Sequence, residues 1–226
     1  MACDTRELAW ALRAVLPHVS HVPELPELCA VRVEAGPGVV YVTATDRYTF
    51  AAAWTAGMPG GAPGGTWPAA LVAAADAREL LRRLRAAGDG TTELAWYDDG
   101  ELAVDYRVRY ARAAPRAYPD WRKLALAVLG SRPELPGALS GIRPDYMARF
   151  AAGIHPANVH RTLSYIPVRR STAGNWPVAV LGPQFVGAVM DVRLPAQPDR
   201  YGSGTYEPPA ATRADWLRRL APAVTP

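Results

Sequence analysis

Leu8, Leu12, Val15, Leu16 and Val19 recur at spacings of three and four residues, which draws one apolar stripe along a helix with Thr5 at its expected N-cap. Arg6, Trp10 and Arg13 fall on the polar side of that helix. The period then shortens to two. Cys29 to Glu34, Val39 to Thr45 and Tyr48 to Trp54 predict three antiparallel strands, the first two divided by Gly36-Pro37-Gly38. After a Gly/Pro-rich stretch from Gly57 to Gly65 the same order returns. A short strand, Ala70 to Ala74, precedes a helix that Asp76 caps and Gly88 ends after Ala87. Glu93 to Tyr97 and Glu101 to Tyr106 form a hairpin about Asp98-Asp99-Gly100, because Asp-Gly supplies the positive φ of a tight turn, and Val108 to Ala113 adds a strand. A linker, Arg132 to Pro136, opens the third repetition. There Ala138 to Ile142 is a strand, Pro144 starts a helix to Gly153, and Arg161 to Val168, Pro177 to Leu181 and Phe185 to Leu194 are strands. One unit of helix plus antiparallel strands is thus used three times, an α+β pattern.

Composition narrows the class. Half of the 226 residues are hydrophobic, enough for one large core or two small ones, yet no apolar run approaches the eighteen residues of a membrane span. The first residues, Met1-Ala2-Cys3-Asp4, lack the basic and apolar regions of a secretory signal, so cytoplasmic residence is expected. Cys3 and Cys29 are too few for a disulfide framework and are expected to be reduced and inert. The formal charge of +4 is carried by arginine, with Lys123 the sole lysine, and favours an anionic partner.

Catalytic and metal constellations are not found. His18 with His21, and His155 with His160, lack a third clustered ligand, so solvated histidines and no metal are expected. Gly60 to Thr66 has phosphate-loop glycine spacing without the lysine before its threonine, which argues against a nucleotide cradle. No nucleophile elbow and no carboxylate pair with a neighbouring base is present, and no enzyme or cofactor is expected.

Three short segments carry a resemblance. Thr43-Ala44-Thr45-Asp46-Arg47-Tyr48-Thr49-Phe50, Tyr118-Pro119-Asp120-Trp121-Arg122 and Phe185 to Leu194 resemble, in order and spacing, the ATDGHRLA, FPDYRR and MPMRL signatures of the bacterial DNA polymerase III beta subunit, the sliding clamp. The resemblance implies a DNA-clamp-like fold in which each domain is built from two of these units, helices on the inside and sheet on the outside. Residues 1–125 then correspond to the whole central domain of a clamp, 137–195 to half of its last domain, and 196–226 to a linker and an amphipathic helix, Arg213 to Leu220, with Trp216 on its apolar face. A half-domain leaves a sheet edge and a helix face to be covered, so a homo-oligomer, a dimer first, is expected.

The resemblance also implies two surfaces. Arg78, Arg82 and Arg85 recur at i, i+4 and i+7, opposite Leu80, Leu81 and Leu84, and with Arg6, Arg13 and Arg149 they would meet duplex DNA without reading bases. Arginines on the solvated face of an amphipathic helix are the plainer reading of the same stripe. The second surface is a groove for partner peptides of replication or repair proteins. Its matching positions are Thr45, Arg47, Tyr48 and Phe50; Pro119, Arg122 and Leu124; and Met190, Val192, Arg193 and Leu194. Asp191 stands where the family has proline, and Tyr48-Thr49 replaces His-Arg. The function implied is a clamp-like platform for DNA and proteins, with a non-encircling adaptor or decoy for clamp partners as the alternative.

Overall fold

The fold is taken from a computed structural model, which describes residues 1–36, 38–57, 69–97, 101–105, 108–110, 118–130, 140–141, 144–158, 162–167, 177–190 and 192–193. The Asp98-Asp99-Gly100 turn, His160, Asp191, Leu194 and the helix expected at Arg213 to Leu220 lie outside these residues. The chain divides into two compact units, Met1–Pro119 and Asp120–Pro226.

In the first unit the order is β1 (Ala2–Asp4), α1 (Thr5–Val15), β2 (Ala30–Gly36), β3 (Val39–Thr45) and β4 (Thr49–Ala56). It continues with β5 (Ala70–Ala73), α2 (Ala74–Ala87), β6 (Thr91–Trp96), β7 (Leu102–Val104) and β8 (Val108–Tyr110). Each half therefore reads strand, helix, three strands. The leading strands are exchanged: β1 pairs antiparallel with β6 in the order β1-β6-β7-β8, while β5 pairs with β2 in the order β5-β2-β3-β4. Both α1 and α2 lie on the second of these sheets, α1 against β3 and β4 and α2 against β2 and β5, and they pack on each other.

The helix starts differ from the sequence reading. Asp4, not Thr5, caps α1, its carboxylate accepting the Glu7 N–H at 2.9 Å, because the extended backbone of a cap belongs to the end of β1. Thr5 turns inward instead, its hydroxyl 2.9 Å from that of Thr92. Asp76 is likewise inside the first turn of α2, whose cap position is Ala73; there its charge still complements the positive end of the helix. Pro17 ends α1 early, and Leu16–His18 continue as a 3-10 turn.

Burial in β3 and β4 is continuous rather than alternating, from Val39 through Thr45 and from Thr49 through Thr55. Tyr118 closes this unit on Ala30 and Leu71, beside the Arg32 guanidinium 5.8 Å from its ring centre, and burial pushes its phenol up to about 12.

The second unit holds α3 (Trp121–Gly130), β9 (Ser140–Gly141), α4 (Pro144–Phe150) followed by a 3-10 turn over Ala151–Gly153, β10 (Ser164–Pro167), β11 (Pro177–Gly182), β12 (Phe185–Met190) and β13 (Val192–Arg193). Within it the antiparallel order is β10-β11-β12, and β9 pairs with β13. The run from β9 to β12 repeats the strand, helix, three strands of the first unit. Two differences set it apart. Its leading strand joins its own continuation, β13, and α3 lies over β11 and β12 beside α4 on β12.

No helix was expected at Trp121–Gly130, so α3 is a correction. Asp120 caps it by accepting the Lys123 N–H at 3.1 Å, and Trp121, Ala125, Val128 and Leu129 are buried. The helix packs on β11 and β12. Among the described residues no helix is long and apolar enough to cross a membrane.

Candidate nucleic-acid and peptide interface

The face of α2 is set by its own periodicity. Ala77, Leu80, Leu81 and Leu84 are buried, and the opposite side presents Arg78, Arg82, Arg83 and Arg85 to solvent. Leucines at this spacing can be buried only by turning the intervening arginines outward, so the stripe read from the sequence is a stripe in the fold. On α1, Arg6 is exposed and Arg13 half-buried. Burial, and then the nearby charge of Arg85, lower the proton affinity of the Arg13 guanidinium, so the two helices bring like charges together. Arg149, in the other unit, is half-buried and stacked 4.9 Å from the ring centre of Tyr146.

Two acids on this face were missed. Glu79 accepts from both Arg82 and Arg83, and Asp89, just past the end of α2, pairs with Arg6. The i, i+3 and i, i+4 spacing of Glu79 to its arginines was the available signal. Trp10, assigned to the polar side of α1, is 3 % exposed and belongs to the core. The expectation of solvated histidines is also corrected: His18 and His155 are buried, and only His21 of the three described is exposed.

The β3–β4 hairpin brings together the first set of groove positions. Thr45 faces Phe50 in register, and both are buried; Arg47 and Tyr48 project from the turn, Tyr48 at 56 % exposure. Asp46 shapes this turn, one carboxylate oxygen accepting from the Tyr48 N–H, the Thr49 N–H and the Thr49 hydroxyl at 3.0, 2.6 and 2.9 Å. Thr45 adds a hydrogen bond to the Thr49 carbonyl at 2.8 Å. Held so, Arg47 takes a φ of 81°.

Pro119, also in the first unit, is exposed. In the second unit Arg122 is half-buried with its guanidinium 4.5 Å from the Trp121 ring centre, and Leu124 is half-buried on α3. Met190 ends β12, and Val192 and Arg193 form β13.

The backbone superposes on those of solved proteins. The DNA polymerase III beta subunit of Thermotoga maritima superposes with a TM-score of 0.58 at 12% identity, over 87% of this chain and 65% of that one. The fold is that of the bacterial sliding clamps. The DNA polymerase sliding clamp of Bacillus subtilis gives a TM-score of 0.59 at 10% identity, over 88% of this chain and 65% of that chain. The Helicobacter pylori beta clamp, in a complex with a DNA ligase peptide, gives 0.59 at 9% identity, covering 88% and 68%. This chain therefore spans about two thirds of the length of the clamps it matches. No family model matches the sequence, and no curated protein does. At these identities the likeness is one of backbone geometry, with side chains largely replaced.

Proposed function

We propose that this chain is a cytoplasmic, non-enzymatic binding platform in DNA replication or repair, taking duplex DNA without regard to sequence and partner proteins through short peptides. The observation that carries the first half is the division of α2, apolar side buried and Arg78, Arg82 and Arg85 outward, on a clamp fold. Guanidinium groups spaced along a helix neutralise phosphates and read no bases, so the contact is salt-sensitive. Arg6 and Arg13 of the neighbouring α1 extend the same charge, and Arg149 is assigned to the DNA face of the second unit. Residues 1–125 act as a whole clamp domain in this reading and 137–195 as a half.

The peptide half of the proposal takes support from the Helicobacter pylori clamp's ligase peptide and from the exposed Arg47 and Tyr48 beside buried Phe50. Thr45, Pro119, Arg122, Leu124, Met190, Val192, Arg193 and Leu194 complete the assignment. An adaptor that binds clamp partners without encircling DNA is the second reading. It is favoured by the acids that already engage Arg6, Arg82 and Arg83.

Replacing Arg78, Arg82 and Arg85 together with Ala tests the DNA face. Duplex affinity should fall, and the slope of log K against log salt should flatten by about 2. Unchanged binding overturns the assignment of α2. Competition by a leucine-rich polymerase peptide for a labelled copy tests the groove, and the adaptor reading requires that competition without duplex binding.

A further inference from the structure

Glu79 lies within the arginine face and holds two of its members. Its carboxylate accepts from Arg82 through Nε at 2.8 Å and Nη2 at 2.7 Å, and from Arg83 through Nε at 2.8 Å. A forked pair of N–H groups is also how arginine takes a phosphate, so a carboxylate seated in the fork and a DNA phosphate compete for the same donors. Helix geometry makes position 79 effective, because residues three and four farther along share its side of the surface. The outcome is one acid set against two arginines. Asp89 does the same to Arg6 at the neighbouring edge.

We propose that Glu79 is a built-in competitor for the nucleic-acid backbone, which occupies Arg82 and Arg83 so that α2 grips duplex DNA mainly through Arg78 and Arg85, and grips it weakly. This rests on the DNA reading given above. A phosphate that reaches Arg82 must first displace a carboxylate, and the displaced acid then repels it, so each such contact contributes less than a free guanidinium would. The hydrogen bonds from Arg82 and Arg83 hold the Glu79 carboxyl down at about 2, below the ordinary range of a glutamate, which favours the charged form that seats in the arginine fork. Weak, sequence-independent contact suits a protein that must move along a duplex, where a fully unpaired stripe would hold it in place.

The test is Glu79→Gln in the full chain, titrated with a mixed-sequence duplex across a salt series. Expected are binding at least about threefold tighter at low salt and a salt slope steeper by about 1 to 2. Glu24→Gln, an exposed loop acid that adds the same unit of charge, is the control. Equal gains from both variants mean that only net charge matters, and overturn the proposal. Arg82→Ala should cost more in the Glu79→Gln background than in the native one; equal costs overturn it also. If native protein binds duplex and Glu79→Gln does not bind more tightly, the competitor falls and the DNA face stands. If neither binds even at low salt, both fall.

Discussion

Arg47 holds a φ of 81°, a left-handed conformation that costs a non-glycine residue about 1 to 3 kcal/mol. The position aligns with the glycine of the ATDGHRLA pattern, the residue that adopts this conformation freely. Three hydrogen bonds to one Asp46 oxygen hold it there. Arg47→Gly should therefore raise the unfolding free energy by about 1 kcal/mol in a denaturant titration. A loss instead would mean that the arginine side chain contributes more than its backbone costs. Cys3 permits a second prediction at this scale. Burial, then the Asp4 carboxylate, raise its thiol to about 12, whereas Cys29 is half-buried near the surface. A thiol reagent at pH 8 should label Cys29 in native protein and Cys3 only after unfolding; prompt double labelling would contradict this placement.

At the scale of elements, α1 and α2 were legible from their helical period, and β2 to β4 from short apolar, largely β-branched or aromatic runs bounded by turn residues. β1 was not, since three residues cannot show alternation and its partners, residues 91–93, lie far along the chain. α3 could have been read: Asp120 is a good cap, and Trp121, Ala125, Val128 and Leu129 stand at i, i+4, i+7 and i+8. Gly153 shows how tightly α4 is fitted to its sheet. A Cβ there would lie 2.9 Å from two atoms of the Phe185 ring, which is fully buried and edge-on to Phe150. Gly153→Ala should destabilise the protein by about 1 to 3 kcal/mol by thermal or chemical unfolding, because a ring packed on all sides has nowhere to move. An unaffected melting temperature would show that the ring can retreat.

For the whole molecule, the repeat of helix and strands was legible in the sequence, while the pairing of β9 with β13 was not, because strands of two residues show no alternation. The candidate site was legible in part: the arginine stripe followed from helical spacing, and so could the place of Glu79 three and four residues before its arginines, while the pairing of Asp89 with Arg6 could not, because the two are far apart along the chain. Among the described residues β8 and β10 end their sheets, and Tyr165 on β10 is 39 % exposed. Unpaired strand edges favour association. Light scattering over a wide concentration range should give a mass above that of one chain, a dimer first; one chain at every concentration would remove encirclement and leave the adaptor.

The exchange of β1 and β5 also sets a timetable. Residues 2–4 cannot find their partners until residues 91–93 have been made, which at about 5 to 20 residues per second leaves the amino-terminal strand waiting roughly 5 to 20 s on the ribosome. During that interval β1 has no sheet to join and the Asp4 cap of α1 is unanchored, so a chaperone that shelters nascent chains would find its longest opportunity there.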